Sequence, residues 1–255
     1  MSGHILTEVA DGIARIQISR PEKMNALTLA MYAEIADALE HAPSAPDVRV
    51  VLIHGEPTVF SSGNDLADFM NPTWVGDDRP GLRFLRAISA APQPVVAAVN
   101  GPAIGVGTTM LLHCDLVYAG QTARFQLPFV NLGLVPEAGS TLLLPASVGY
   151  QRAAGLMLLG DPFSATVAHQ YGIVTEVTAD ADTLAAATSA ARKLAAKPPA
   201  AVRLTKMLMK KPMAVAVADQ IHEEIAHFDR QLRSPEAAKA FSAFSKDRST
   251  HRTTR

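Results

Sequence analysis

The sequence predicts an α/β core followed by an α-helical appendage. Short apolar runs at residues 12–19, 48–54 and 94–99 alternate with turns and with helical patterns. Strands that alternate with helices are typical of an α/β fold, and the purely helical end indicates an added unit. We therefore expect a core over residues 1–197 and a helical region over residues 198–255.

Composition and charge limit the class of protein. The chain has 255 residues, of which 48% are hydrophobic and 18% charged, and its formal net charge is −1. This composition suits one large globular domain, and the near-neutral charge gives no reason to expect nucleic acid or a membrane surface as a partner. The single cysteine, Cys114, excludes an intramolecular disulfide. Since residues 1–12 lack the pattern of a signal peptide, we expect a reducing, cytoplasmic location.

The longest apolar stretch, residues 94–112, approaches the roughly 20 residues that a membrane-spanning helix needs. Asn100 and Pro102 interrupt it, and His113 and Asp115 follow directly. A strand, a turn and a buried helix explain this pattern better than a membrane span does. We therefore expect no membrane span.

Local signals place the other elements in order. Thr28 can cap a helix that ends before Pro43. Residues 68–81 are rich in proline, glycine and aspartate, and we expect a loop that lines a pocket. The remaining predicted elements are helices at residues 79–91, 142–159, 164–170, 181–196, 200–210, 213–233 and 235–246, with a strand at residues 172–177.

The stretch over residues 93–139 carries the clearest functional pattern. A strand ends at Asn100, and the small-residue turn AIGVG at residues 103–107 then opens a helical pattern. Backbone N–H groups at a helix start have no partner within the helix and lie at its positive end. We therefore predict an anion-binding turn here, followed by one carboxylate, Glu137, in an apolar loop.

Glu137 has two interpretations. Its neighbours Leu134, Val135 and Ala138 are apolar or small, and burial among them would raise the pKa of the carboxyl towards the range of a general base at neutral pH. Alternatively, Glu137 begins a helix just after Pro136, where the helix dipole favours a negative charge. Spacing alone favours the second interpretation.

Three other kinds of site do not fit the sequence. The glycines of residues 101–107 lack the G-x-G-x-x-G spacing of a dinucleotide site. His222 and His227 are five residues apart, which places them on different faces of a helix rather than together as zinc ligands, so no metal is predicted. The G-x-S-x-G motif of serine hydrolases does not occur.

Four ordered motifs resemble those of one known family. RPEKMNAL at residues 20–27 resembles a first CoA-contacting loop, FSSGNDL at residues 60–66 a first oxyanion loop and VNGPAIGVG at residues 99–107 a second one. CDLVYA at residues 114–119 resembles the strand that follows. The family is the crotonases, or enoyl-CoA hydratases/isomerases. The resemblance spans nearly the whole chain and implies a β-β-α superhelix, with a C-terminal α-helical appendage, that binds acyl-CoA thioesters.

The resemblance also implies a reaction. In the family, two backbone N–H groups hold the thioester oxygen, and the matching positions here are Asn64 and Val106. Family hydratases place two glutamates where this chain has Thr109 and Phe129. Since neither side chain can deprotonate water, ordinary hydratase activity is not expected. Glu137 instead matches the glutamate of the family's Δ3,Δ2-enoyl-CoA isomerases.

We therefore expect an isomerase of fatty acid β-oxidation that converts 3-enoyl-CoA to trans-2-enoyl-CoA. Glu137 would take a proton from C2 and return it at C4. One alternative is a hydratase or another crotonase activity. A second alternative, made plausible by the two absent acids, is a non-catalytic acyl-CoA-binding protein. No cofactor is expected, because coenzyme A is part of the substrate.

The resemblance further suggests binding residues and an assembly. Lys246 and Arg248 are expected to reach the CoA phosphates, although solvated surface charge explains them equally well. The family's usual assembly implies a homotrimer or a dimer of trimers, with residues 198–255 at the contacts. The candidates around the adenine and pantetheine are Lys23, Met24, Ser62, Gly63, Asp65 and Leu66. The candidates for the acyl pocket are Phe69, Trp74, Phe84 and Phe129.

Overall fold

The computed structural model describes residues 2–45, 47–69 and 79–252, without the side chains of residues 69 and 244–252. Within these ranges the chain forms a six-stranded sheet and a three-stranded sheet, surrounded by helices. The predicted α/β class with a helical C-terminal region is confirmed.

Within each sheet, the strands lie side by side in the order in which they occur in the sequence. The large sheet has the order β1-β2-β3-β4-β6-β9 and the small sheet the order β5-β7-β8. The strands are β1 (Ile5–Ala10), β2 (Ile13–Ile18), β3 (Val50–His54), β4 (Val95–Val99), β5 (Pro102–Ile104), β6 (Leu116–Gly120), β7 (Arg124–Gln126), β8 (Phe163–Ser164) and β9 (Glu176–Thr178).

Helices cover both faces of the large sheet and form the C-terminal part of the chain. Within the described ranges, none of them combines the length and the apolar character that crossing a membrane requires. The α-helices are α1 (Leu29–His41), α2 (Leu66–Phe69), α3 (Pro80–Ala90), α4 (Val106–Thr109), α5 (Ser140–Val148), α6 (Tyr150–Ala154), α7 (Ala165–Gln170), α8 (Thr183–Ala195), α9 (Pro199–Lys210), α10 (Ala214–Leu232) and α11 (Pro235–Arg252).

The large sheet is buried on both faces at its centre. Strand β1 is antiparallel to β2, and the remaining neighbours in this sheet are parallel. Val51 and Ile53 belong to the main core, whereas Val50 and Leu52 pack with Ala187 of α8. Because a parallel strand covered on both faces needs apolar residues throughout, β3 reads as a continuous apolar run.

Helix α1 forms as its sequence predicts. The side chain of Thr28 accepts a hydrogen bond from Met31 N at 3.3 Å and so caps the helix. Met31, Ile35 and Leu39 recur at a spacing of four residues, and all three are buried in the main core. The helix packs with this face towards α3 and the large sheet.

Several elements differ from the sequence prediction: the short strands β5, β7 and β8 have no predicted counterpart, and three further differences have a clear local reason. Strand β1 has no predicted counterpart, because most of its side chains are exposed and no buried alternation marks it. The helix predicted over residues 142–159 is divided at Gly149, whose φ of 86° is not helical. The strand predicted over residues 172–177 is shorter and shifted, since Ile173 N and Val174 N donate to Ala168 O in a turn after α7.

The C-terminal helices α9 and α10 pack against the core in different ways. Helix α9 turns Lys206 inward, and its Nζ donates to Gln93 O and to Asp115 Oδ2, both at 2.7 Å. Helix α10 packs against α3 and α5 and buries Ile221 and Phe228. It therefore lies beside the loop that carries Glu137, while the division of the chain at residue 197 stays a prediction.

Candidate active site

Two glycine-containing loops meet beside the small sheet, the first loop (residues 61–65) and the second loop (residues 103–107). A backbone amide of the second loop donates to Ser61 O at 2.9 Å. A Cβ on Gly63 would lie 2.8 Å from a backbone oxygen of the second loop, and a Cβ on Gly107 would lie 2.7 Å from Ser61 O. Because rigid backbone occupies the space of a side chain, glycine is required for this approach.

A third loop (residues 20–27) lies beside the first loop. Ser62 N donates to Met24 O at 2.9 Å, and the Asp65 carboxylate accepts from Arg20 Nη1 at 2.6 Å. The side chain of Asp65 therefore holds the two loops together. The structure brings the predicted CoA-binding residues Lys23 and Met24 next to the predicted group Ser62, Gly63, Asp65 and Leu66.

Asn64 and Val106 both line a cavity between these loops and the helices. Val106 is the first residue of α4, so its N–H has no acceptor within the helix. Among the described residues, neither backbone N–H donates to another backbone group. The side chain of Asn64 accepts a hydrogen bond from the hydroxyl of Tyr32, a buried residue of α1. Both backbone N–H groups are therefore available to an acceptor on a ligand.

Glu137 lies in a tight loop directly before α5. The next two residues, Ala138 and Gly139, have φ values of 69° and 66°, in the left-handed region. His113 Nε2 donates to Ala138 O at 2.8 Å and fixes this turn. Burial lowers the pKa of His113 to about 4, so the imidazole is neutral at pH 7 and can serve as this donor.

The cavity brings together three residues that the sequence predicts for the site, Asn64, Val106 and Glu137. An ion pair of 2.6 Å between Arg79 Nη1 and Asp229 Oδ1 forms part of its wall. The rest of the wall is mainly apolar. The lining residues are Tyr32, Asn64, Arg79, Gly81, Leu82, Leu85, Val106, Glu137, Ile225, Phe228, Asp229 and Leu232.

The carboxyl of Glu137 is almost completely buried. It is 7% exposed, and its Oε1 has no hydrogen-bond partner within the described ranges. Burial and, next, the negative charge of Glu224 raise the pKa of Glu137 to about 8. Burial and the charge of Glu137 also raise the pKa of Tyr32 well above its ordinary value. A carboxyl with a pKa near neutrality can both accept and donate a proton, which suits acid–base catalysis.

The residues predicted for the acyl pocket have different positions. Phe84 is fully buried beside Tyr32, with 5.4 Å between the ring centroids, and Leu82 and Leu85 of the same helix line the cavity instead. Phe129 is buried against the turn at Gly105. Neither phenylalanine is among the lining residues, so their roles stay predictions. Trp74 and the side chains of Phe69, Lys246 and Arg248 lie outside the described part of the chain.

Sequence reasoning did not find Glu224 or the Arg79–Asp229 pair. Glu224 is buried on α10, in line with Val217, Ile221 and Phe228. A glutamate within an apolar stripe of helical spacing is the signal that marks such a buried carboxylate. Distant ion pairs such as Arg79–Asp229 leave no local signal, because the partners come from separate elements.

Metal ligands are not grouped in the part of the chain that the structure describes. No cluster of three or more histidine, cysteine, aspartate or glutamate side chains is placed to hold an ion there. His222 lies beside Arg86, with 3.2 Å between His222 Nε2 and Arg86 Nη2, whereas His227 lies 4.0 Å from Glu223 Oε1.

Comparison with known proteins identifies the family. The sequence model named enoyl-CoA hydratase/isomerase matches residues 8–254. The chain is 34% identical over 257 residues to 1,2-epoxyphenylacetyl-CoA isomerase of Escherichia coli K12, covering 98% of both chains. It is 33% identical over 246 residues to enoyl-CoA delta isomerase 2 of Rattus norvegicus, covering 94% of this chain and 63% of that protein.

A solved structure has the same fold. The enoyl-CoA hydratase/isomerase from Pseudoalteromonas atlantica T6c superposes with a TM-score of 0.93 at 41% identity, covering 96% of this chain and 97% of that one. The chain therefore belongs to the enoyl-CoA hydratase/isomerase family, the crotonases, and the predicted crotonase-type fold is confirmed. Relatives named as hydratases occur at similar identity to those named as isomerases, so family membership establishes an acyl-CoA enzyme without fixing its reaction.

Proposed function

We propose that this protein is an enoyl-CoA isomerase that converts 3-enoyl-CoA to trans-2-enoyl-CoA. In this proposal Glu137 moves the proton, and the backbone N–H groups of Asn64 and Val106 hold the thioester oxygen. The observation that carries it is the Glu137 carboxyl, which lines the same cavity as the two amides, has an oxygen without a partner and has a pKa of about 8.

The reaction needs one base that later acts as an acid. The Glu137 carboxylate takes a proton from C2, and the electrons of the broken C–H bond form a dienolate whose negative charge lies on the thioester oxygen. Two N–H groups aimed at that oxygen stabilise the charge, and removing one such donor typically costs about 3 kcal/mol of barrier. The protonated carboxyl then returns the proton at C4, and the double bond moves to C2–C3. No water is consumed.

The surroundings of Glu137 support a double-bond shift over hydration. Thr109 is completely buried and Phe129 nearly so, and neither can act as a base towards water. Hydration would need an acid–base group to place and deprotonate a water molecule, in addition to one that protonates the substrate. A single carboxyl in a mainly apolar cavity suits a transfer within one substrate molecule.

The same proposal assigns the CoA moiety to the adjoining first and third loops. Lys23 and Met24 are mostly exposed at the outer side of the third loop. From there the first loop, whose backbone lies close to that of the second loop, leads to Asn64. We place the adenine and pantetheine along Lys23, Met24, Ser62, Gly63, Asp65 and Leu66, with the phosphates near Lys246.

The first test is the activity of Glu137→Gln. The amide has nearly the same size but cannot accept a proton at neutral pH, so kcat for 3-enoyl-CoA esters should fall by about 100-fold or more. Formation of the conjugated 2-enoyl thioester, followed by absorbance and mass analysis of the products, measures it. Undiminished turnover in this variant would contradict the proposed role of Glu137.

The alternatives give different results in the same experiment. A hydratase would convert crotonyl-CoA to a product 18 mass units heavier, the mass of one water. The second alternative is a non-catalytic binding protein, because Thr109 and Phe129 occupy positions where family hydratases have acids. It would bind acyl-CoA esters in calorimetry and give no product from any 2- or 3-enoyl ester.

A further inference from the structure

Glu224 is a buried carboxylate that the proposed reaction does not use. It is 4% exposed and extends from α10 to the start of α5. Its Oε2 accepts from Gly139 N at 2.6 Å, and its Oε1 accepts from Thr141 N at 2.9 Å and from Thr141 Oγ1 at 2.5 Å. Gln220 Nε2 donates to the same Thr141 hydroxyl at 2.9 Å. Both carboxylate oxygens therefore have donors.

These contacts fix the loop that carries Glu137. Ala138 is in the left-handed region, a conformation that is unfavourable for a residue other than glycine. The loop holds Ala138 in this conformation because its backbone is hydrogen-bonded on both sides. His113 binds Ala138 O, and Glu224 binds Gly139 N. The backbone after Glu137 is thus held between the core and α10.

The negative charge of Glu224 also acts on the Glu137 carboxyl. The titratable groups around Glu137 are Tyr32, His113, the Arg79–Asp229 pair and Glu224. Tyr32 and His113 are neutral at pH 7, because burial raises the pKa of the phenol and lowers that of the imidazole. Arg79 and Asp229 neutralise each other at 2.6 Å.

The carboxyls of Glu224 and Glu137 differ in their hydrogen bonds. Burial raises the pKa of Glu224 above its ordinary value, but the three hydrogen bonds that this carboxylate accepts act in the opposite direction and favour its charged form. Glu137 Oε1 has none within the described residues. Because two buried carboxylates without a cation between them are not both readily ionised, the proton is retained by Glu137.

We propose that Glu224 is the positioning residue of the site, which orients the Glu137 loop through Gly139 and Thr141 and supplies a buried negative charge to the site. This inference rests on the proposed function and specifies which residue positions the Glu137 carboxyl that acts in it. A proton shuttle has to be a base towards C2 and an acid towards C4. It works best when neither form is strongly favoured at the working pH.

The test compares two glutamates of one helix. Glu224→Gln removes the buried charge and one acceptor at nearly constant size, and Glu223→Gln makes the same change at a neighbouring side chain that is 68% exposed. The midpoint of the acid limb of log kcat/KM against pH should move down by about 1 pH unit or more in Glu224→Gln. It should stay in place in Glu223→Gln. An unchanged midpoint in both variants would overturn the proposal.

A direct titration separates this proposal from the proposed function. The infrared band of a protonated buried carboxyl reports Glu137 without turnover, and Glu137→Gln identifies it by difference. The band should disappear at lower pH in Glu224→Gln than in the wild type. This result is expected even if every enoyl ester proves inert, which would contradict the isomerase alone. An unmoved band would contradict the role of Glu224 alone.

A milder variant covers the case in which Glu224→Gln does not fold. Thr141→Val removes only the hydroxyl donor and leaves the two backbone donors to Glu224. Loss of this donor makes Glu224 harder to ionise, so the Glu137 band should move in the same direction by a smaller amount. A band that stays at its wild-type midpoint in folded Thr141→Val would count against the proposal.

Discussion

At the scale of single residues, the buried Glu137 carboxyl destabilises the fold when it is ionised. The apolar neighbours of Glu137 in sequence indicated burial and a raised pKa as one of two interpretations, although spacing alone favoured a glutamate at a helix start. They could not predict Glu224, which comes from an element 85 residues beyond Gly139. They also could not predict Ala138 in the left-handed region, because alanine has no preference for it.

Replacing Glu137 by glutamine should therefore stabilise the protein, increasingly so at higher pH. The folded-state pKa of about 8 lies above the ordinary value of 4.5. The wild type accordingly loses stability as pH rises from about 4.5 to about 8, because the unfolded chain releases this proton first. Above pH 8 the variant should exceed the wild type by more than about 1 kcal/mol in the free energy of unfolding in urea.

The difference between the two proteins reports this carboxyl together with its coupling to Glu224 and Tyr32, since the remaining titrating groups are common to both. It should be small at pH 4.5 and should grow towards pH 8. A difference that does not change with pH would show that the folded-state pKa of Glu137 is close to its ordinary value.

At the scale of elements, local signals predicted those helices and strands whose own residues carry the information. Thr28 and the apolar face with Ile35, Ala36 and Leu39 predict α1, and the structure buries these three side chains. Strand β1 could not be predicted, because its partner β2 rather than a buried face holds it in the sheet. Helix α10 was predicted in extent, but its position over the cavity follows from tertiary packing.

The contact between α3 and α10 includes the Arg79–Asp229 pair, whose side chains are 11% and 25% exposed. Asp229→Asn leaves the Arg79 charge largely buried without its partner. We expect a loss of about 2 kcal/mol in the free energy of unfolding, because an unpaired buried charge is costly. Urea unfolding at pH 7 measures it.

A second pair that also involves α3 supplies the matched control. Arg83 contacts Glu40 of α1, and both side chains are well exposed to solvent. Glu40→Gln should cost about 0.5 kcal/mol or less, because water screens an exposed pair. Equal losses in the two variants would mean that burial does not strengthen the Arg79–Asp229 contact.

At the scale of the whole molecule, helix α9 turns lysine side chains towards the core and exposes apolar side chains to solvent. Lys206 and Lys210 turn towards the core, where Lys210 Nζ donates to His113 O at 3.0 Å. Leu204, Leu208 and Met209 are exposed, Leu208 to 61% and Met209 to 69%. An apolar helix face open to water is typical of a surface that another chain covers.

We therefore expect the protein to be a homotrimer or a dimer of trimers in which α9 contributes to the contacts. Sedimentation velocity should give three or six times the chain mass. The double change Leu204→Lys and Leu208→Lys should reduce that mass, because it places charges in the contact. Glu223→Gln on α10 is the control for an exposed position and should leave the mass unchanged. A monomeric wild type at micromolar concentration would contradict this expectation.

The position of Glu224 and the cavity wall on α10 also has a consequence for biosynthesis. During translation, the chain up to the end of α9 contains Glu137, Asn64 and Val106 but lacks the cavity-wall residues Ile225, Phe228, Asp229 and Leu232. Gly139 N and Thr141 N would have no carboxylate to bind until residue 224 has left the ribosome. Such long-range contacts form late in folding. The cavity wall and the hydrogen bonds that hold the loop after Glu137 are therefore complete only once α10 has been synthesised.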